Sequence, residues 1–426
     1  MKLLIRQVEI VDPTSAFNGK IVDVFIVNGS YHTIANTISL DKIPSDTQII
    51  EEKNCCLSVG WLDMRSNFRQ PGEEQKETIA SGQAAAAQGG FTAVLLMPST
   101  KPEIQTRSDV EFVMRKSESN AVTVFQAGAL TKNHAGKELN ELYDMQLGGA
   151  IAFCDDKHSV ADSGVMMRAM QYAGNIKTRI IAFADDKGLS RESTTNESAV
   201  TTLLGFKGSP SIAEEIDVQR LISLTEYTGQ HLHISGVSSK AAVEVIRNAK
   251  ARGVKISAEV YVYHLLLSDD ALNDFDTNYK VKPPLRSEAD RIALVDALLD
   301  GTIDVVVSDH SPEDPESKVV EFDFAAFGMI GLESAFGVLQ KALGKRSTPK
   351  LIATLLSSNP RKILGLPSLS IQENQKAECT LFNRNEEWEF TTKHIKSLSR
   401  NTPFIDMKFR GKVKGIYGNS KWVTAE

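Results

Sequence analysis

Cysteine is scarce in this chain. Only Cys55, Cys56, Cys154 and Cys379 occur in 426 residues, with no C-x-x-C pair. Neither a disulfide framework nor a cysteine-based zinc site is therefore spelled out, and free thiols fit a reducing, cytoplasmic setting. Long apolar runs are missing too: nothing approaches the ~20 residues that span a bilayer. The opening MKLLIRQVEIVD alternates and carries charge, as a strand does and a signal peptide does not. There is no excess of positive charge. Lys and Arg number 48 against 54 Asp and Glu, for a net charge of −6, which argues against a nucleic-acid or anionic-membrane partner. No Walker or dinucleotide fingerprint occurs, and the pairs Gly89-Gly90 and Gly148-Gly149 read as turns. Histidine is rare as well, with eight in all, so an imidazole metal site can be checked one residue at a time.

What is present is a long α/β pattern. Apolar content of 42% with 24% charge is that of a globular protein able to bury a large core. Residues 1–55 alternate apolar and polar positions, with turns at Asp12-Pro13 and Asn28-Gly29. The end of the chain has the same texture at Cys379 to Phe382, Trp388 to Thr391 and Met407 to Ile416. Between them, strand-like runs occur at 57–62, 91–97, 122–127, 150–153, 179–183, 231–234, 255–262 and 304–307. Helix-period segments intervene at 74–88, 109–117, 164–173, 211–228, 239–252 and 288–299, with Ser211 and Ser239 as N-caps. Two further helices are expected at 332–343 and 350–356, and a loop at 185–209. The alternation predicts an α/β fold, a (β/α)8 TIM-like barrel over 56–369. The chain ends, 1–55 and 370–426, are expected to form a small β-sandwich domain beside it.

The stretch Val59–Gly72, VGWLDMRSNFRQPG, runs from a buried strand into a polar loop, where a barrel enzyme places its chemistry. Further motifs follow in order. They are Met97-Pro98-Ser99-Thr100, Ala152-Phe153-Cys154-Asp155-Asp156, His233-Ile234-Ser235, Tyr279-Lys280-Val281-Lys282-Pro283-Pro284-Leu285-Arg286 and Ser308-Asp309-His310-Ser311-Pro312. Together they resemble the dihydroorotases of the amidohydrolase superfamily over nearly the whole chain. In the first motif, G-[FW]-[IL]-D-x-H-x-H-x-R-x-P-G, the residues Gly60, Trp61, Leu62, Asp63, Arg69, Pro71 and Gly72 fit.

Active members of that family hydrolyse or close a cyclic amide, with zinc lowering the pKa of water and polarising the carbonyl. The resemblance implies six ligands, and three of their positions hold other residues here: Arg65 and Asn67 replace the two histidines of the first motif, and Phe183 replaces the histidine after the fifth strand. Arg65 stays protonated and has no lone pair to offer a cation. The retained positions are an aspartate of the Asp155–Asp156 pair, with Asp156 preferred, His233 and Asp309. Asp309 is also the general base that the resemblance implies. Substrate contacts implied are Arg69, for a carboxylate, with Ser99 and Lys282 at positions where the family has asparagine; Glu313 stands where it has histidine. Two carboxylates without their cation are costly. The Arg65 guanidinium is therefore expected to stand in for the metal by pairing with Asp156 or Asp309.

The resulting expectation is a dihydroorotase homologue in which no zinc binds tightly and catalysis is silent. By the same resemblance it would serve pyrimidine biosynthesis as a scaffold or regulatory partner of aspartate transcarbamoylase, with a homodimer as a further possibility. The alternative is an active dihydroorotase, converting dihydroorotate and carbamoyl aspartate, with a rebuilt single-metal site that recruits His231 or His310. A third reading is a binding module in which Arg69 and Lys282 hold a small anion without turnover. His231 and His264 read as packing residues, and His32, His134, His158 and His394 as surface residues.

Overall fold

The computed structural model describes residues 1–426. Eight strands form the barrel: Trp61–Ser66, Phe91–Leu96, Thr123–Ala129, Ala150–Cys154, Arg179–Phe183, Leu232–Ser235, Ile256–Tyr261 and Val305–Val307. They are hydrogen-bonded in chain order, and each pairs with its neighbour in parallel. Their apolar, β-branched texture, as in Val305-Val306-Val307 or Ile180-Ile181, suits strands buried on both faces. The ring closes between the last strand and the first. Ser66 bridges His310 in parallel, and the Ser308 amide donates to Asp63 Oδ1 at 2.8 Å.

Helices cross between the strands and start where short polar side chains satisfy free amides. Ser239 accepts from the Ala242 amide at the head of Lys240–Ala251, and Ser287 with Asp290 boxes the start of Glu288–Leu299. Ser211 does not cap as expected: it is itself in helical geometry ahead of Ile212–Thr228 and makes no side-chain cap. The expected helix over 74–88 is helical only from Ile79, and the segment 185–209 holds two short helices and a small strand pair. No helix is long and apolar enough to cross a membrane.

The chain ends pair into one separate sheet of eight strands. Cys56–Val59 is the element that joins them, parallel to Lys2–Val11 on one side and antiparallel to Cys379–Phe390 on the other. The run read as a single strand over 57–62 is thus two elements, and the chain enters the barrel at Gly60. A β-carbon at Gly60 would sit 2.1 Å from the Thr92 hydroxyl, so the crossing needs a residue without a side chain. Trp61, fully buried, then fastens barrel to sheet: its ring packs 5.0 Å from Phe336 and 5.1 Å from Phe382, and its indole N–H donates to Ser58. Truncating a buried ring of this size costs about 3–5 kcal/mol.

Candidate functional site

The first barrel strand delivers Arg65 to the middle of the barrel mouth, where only 1% of it is exposed. Its guanidinium is surrounded by acceptors. Nε donates to Asp309 Oδ1 at 3.1 Å, Nη1 to Ser235 Oγ at 2.9 Å, and Nη2 to Asp156. Glu259 lies 3.9 Å away, and the Tyr261 ring faces the guanidinium carbon at 5.2 Å. Burial opposes the charge, yet the ring and the three acids hold the group protonated far above its ordinary range.

Asp309 is saturated. Beyond Arg65, its Oδ2 accepts from Lys157 Nζ at 2.7 Å and from Tyr263 Oη at 2.6 Å. Burial alone would raise the Asp156 carboxyl, but Arg65 and Lys157 overcome that and hold it down at about 2. Burial also pulls the Lys157 ammonium below its usual range, against the attraction of Asp309. Of the two neighbouring aspartates, Asp156 faces Arg65, whereas Asp155 accepts from the amide and hydroxyl of Thr131. His233 has no free nitrogen: Nδ1 meets Ser257 Oγ at 2.8 Å and Nε2 meets Glu259 at 3.0 Å.

The other positions are also engaged. The Asn67 amide ties its loop to the one after the second strand, donating to the Ser99 carbonyl at 3.2 Å, and accepts from the Arg69 amide at 3.0 Å. Arg69 is tied to Glu313 at 2.6 Å and to the Pro312 carbonyl at 2.9 Å. Lys76 closes on the same Glu313 at 2.8 Å, so a carboxylate of the chain itself already sits on the Arg69 guanidinium. Phe183 and Lys282 line a cavity of 270 Å³ that none of Arg65, Arg69, Asp156 or Asp309 touches.

Five members of the cluster were not singled out from the sequence. Ser235 stands inside a recognised motif and Lys157 directly follows Asp156, but nothing local says that these side chains converge. Glu259, Tyr261 and Tyr263 belong to none of the motifs above. His134 differs from expectation: it is 7% exposed, its ring stacked 5.6 Å from that of the exposed His158.

These side chains do not suit a zinc ion. No three His, Cys, Asp or Glu converge as a metal-holding group. A guanidinium occupies the space between the carboxylates, and zinc takes lone-pair donors that neither it nor Phe183 has. Recruitment of another histidine is also blocked. His231 precedes the sixth strand and lines a recess with Arg179 and Lys255 at the strand starts, the opposite end of the barrel. His310 accepts from the Gly331 amide at 3.2 Å through Nδ1 and meets Glu77 at 3.3 Å through Nε2. His264 is buried against the Pro283 carbonyl, and burial pulls it down to about 3.

A family profile described as Dihydro-orotase-like matches residues 56–242. A dihydroorotase of Syntrophus aciditrophicus is 38% identical over 416 residues, covering 97% of each chain. One of Pelotomaculum thermopropionicum is 39% identical over 415 residues, covering 96% of each. Among solved structures, an L-hydantoinase from Arthrobacter aurescens superposes with a TM-score of 0.86 at 19% identity, covering 99% of this chain and 96% of the other. A dihydropyrimidinase from Brevibacillus agri gives 0.81 at 21%, covering 100% and 95%. At such identities these two structures speak for the fold alone.

Proposed function

The chain belongs to the dihydroorotase family of the amidohydrolase superfamily, and from that premise we propose that it serves pyrimidine biosynthesis without catalysing the ring reaction. In this reading it is a scaffold or regulatory partner of aspartate transcarbamoylase. The observation that carries it is the position of Arg65, ion-paired with both Asp156 and Asp309. A dication about 4 Å from that guanidinium would be repelled by about 8 kcal/mol at an effective dielectric of about 20. The guanidinium cannot shed its proton to relieve this. Without a metal there is no activated water and no Lewis acid on the carbonyl, and the general-base position, Asp309, is locked to Arg65, Lys157 and Tyr263. The proposed substrate contact at Arg69 is likewise engaged, by Glu313.

A second reading is an active dihydroorotase, acting on dihydroorotate and carbamoyl aspartate with a rebuilt zinc site. The named relatives favour it: full-length matches at 36–39% identity all carry that name. The two readings separate in one assay. Purified protein is supplied with zinc and tested for dihydroorotate hydrolysis and carbamoyl aspartate closure beside one of these relatives. No turnover above background supports the first reading; turnover within about tenfold of the relative establishes the second. Co-purification with an aspartate transcarbamoylase subunit tests the scaffold role, and its absence under conditions that retain other complexes would remove that part.

A further inference from the structure

A groove on the segment that follows the eighth barrel strand leaves apolar side chains bare. It runs between the turn at 275–278, the stretch 313–321 and residues 398–401, with a volume of 860 Å³. Val319, Leu398 and Phe275 line it and are 83%, 52% and 48% exposed. Single exposed apolar residues are ordinary on a protein surface. Several gathered around one groove mark a contact surface.

This exposure is built in. Two buried ammoniums pin the segment that carries Val319. Lys318 Nζ donates to the Ala326 and Gly328 carbonyls at 2.9 and 3.0 Å, and Lys280 Nζ to the Phe322 and Asp323 carbonyls at 2.7 and 2.9 Å. Thr277 Oγ1 donates to the Lys318 carbonyl at 2.6 Å, which ties the facing turn to the same segment. The Phe275 ring rests 5.3 Å from that of Phe206, which in turn packs 4.5 Å from Phe322. The walls are thus held in place before anything binds, which lowers the ordering cost of association.

The rim is acidic. Asp276, Asp314 and Glu321 line the groove, and the exposed Asp274 and Glu316 flank it in the chain. Asp276 accepts from the Asn278 amide at 2.8 Å and Asp314 from the Ser317 amide at 3.0 Å, and no lysine or arginine forms an ion pair with any of the five. Glu313, buried in the same groove, is answered by Arg69 and Lys76. Two cations line the groove. Lys318 is buried and committed to its carbonyls, and Arg400 turns Nη1 onto the Ser397 and Ser399 carbonyls. Bare apolar anchors framed by unpaired carboxylates complement a surface of opposite charge. A second copy of this chain across a twofold axis would set the same carboxylates against one another. Anionic lipid would be repelled for the same reason. We propose that the groove docks a segment of a different protein, with large apolar side chains for Val319, Leu398 and Phe275 flanked by lysine or arginine for the rim. Such docking needs neither turnover nor its loss, and it holds whichever protein supplies the segment.

The test is a fluorescence-anisotropy titration of the full chain against labelled peptides. The probe is a short peptide of leucine and lysine at helical spacing. One control has glutamate in place of lysine, and the other has the probe's composition in an order that gives no apolar face. The probe is expected to bind saturably at one site per chain, and both controls at least about tenfold more weakly. Val319→Lys with Leu398→Lys should weaken the probe by about tenfold or more. Glu316→Lys with Glu321→Lys, which leaves the apolar anchors in place, should do the same and reduce the salt dependence of binding. Unchanged melting temperatures show that the variants fold. Glu118→Lys, an exposed acid outside the groove, should bind as the wild type does. Absence of saturable binding, binding that neither double variant weakens, or equal weakening by Glu118→Lys overturns the proposal. So does a dimer in sedimentation velocity that Val319→Lys with Leu398→Lys dissociates, since the occupant would then be a second copy.

Discussion

Asp63 and Asp309 are both buried acids where the barrel closes, and they are satisfied in opposite ways. Asp63 belongs to the seam between first and last strands. Its partners are neutral: the Ser308 amide at 2.8 Å, the Ser308 hydroxyl at 2.7 Å and the Ser66 hydroxyl. Asp309, one residue past Ser308, belongs to the centre, where with Asp156 it faces Arg65 and Lys157. A seam needs only hydrogen-bond donors, which backbone and serine supply. A pair of carboxylates at a barrel mouth needs positive charge, because buried like charges cannot both remain ionised otherwise. In this chain the charge comes from side chains. The seam is thus part of the scaffold, and the centre is where this chain departs from the motif that the sequence resemblance implies.

The largest effect expected from breaking this contrast is at Arg65. Arg65→Met leaves Asp156 and Asp309 facing each other with only Lys157 between them. Removing one partner from a buried ion pair costs about 3–5 kcal/mol, read by urea unfolding. Adding Asp156→Asn to that variant should recover part of the loss; equal stability of Arg65→Met and wild type would refute the pairing.

The next effect is on pH dependence, and the two regions should differ in sign. Burial pushes the Asp63 carboxyl up to about 6, so the folded chain holds that proton more tightly than the unfolded chain. Its contribution is full below about pH 4 and lost as pH rises through about 6. Asp156 is held down at about 2, so its contribution is full above about pH 4 and lost as pH falls through about 2. Each window is worth about 2–3 kcal/mol at most. Unfolding free energies of wild type, Asp63→Asn and Asp156→Asn between pH 2 and 7 should show each slope flattened only by its own substitution.

The smallest effect is on the seam. Ser308→Ala removes one neutral hydroxyl from Asp63 while the amide still donates, so about 1 kcal/mol is expected. A loss as large as that at Arg65 would mean that seam and centre act as one network.

Much of the fold was legible because strand and helix periods are local. The run 179–183 and the helix 288–299 fall where the pattern puts them. The break at Gly60 was not, since an unbroken apolar run hides a change of sheet that only the approach of Thr92 explains. At the site, Arg65, Asn67 and Phe183 stood out as departures from a motif. That Arg65 would pair with Asp156 or Asp309 followed from the ligand positions the resemblance implies together with charge, and it pairs with both. Lys157 was invisible for the opposite reason: a lysine next to two aspartates in sequence reads as a solvated loop residue, and only the closed ring of strands carries it to Asp309. The engagement of Arg69 by Glu313 was equally hidden, because those residues are 244 positions apart.

The most direct measurement is zinc content. Purified chain is dialysed against excess zinc, then against zinc-free buffer, and assayed by elemental analysis beside the Syntrophus aciditrophicus relative. With Arg65 as the resident cation, zinc well below one ion per chain is expected. One or two ions retained per chain, and lost on mutation of Asp156 or Asp309, would contradict that claim and establish a metal site in place of the guanidinium.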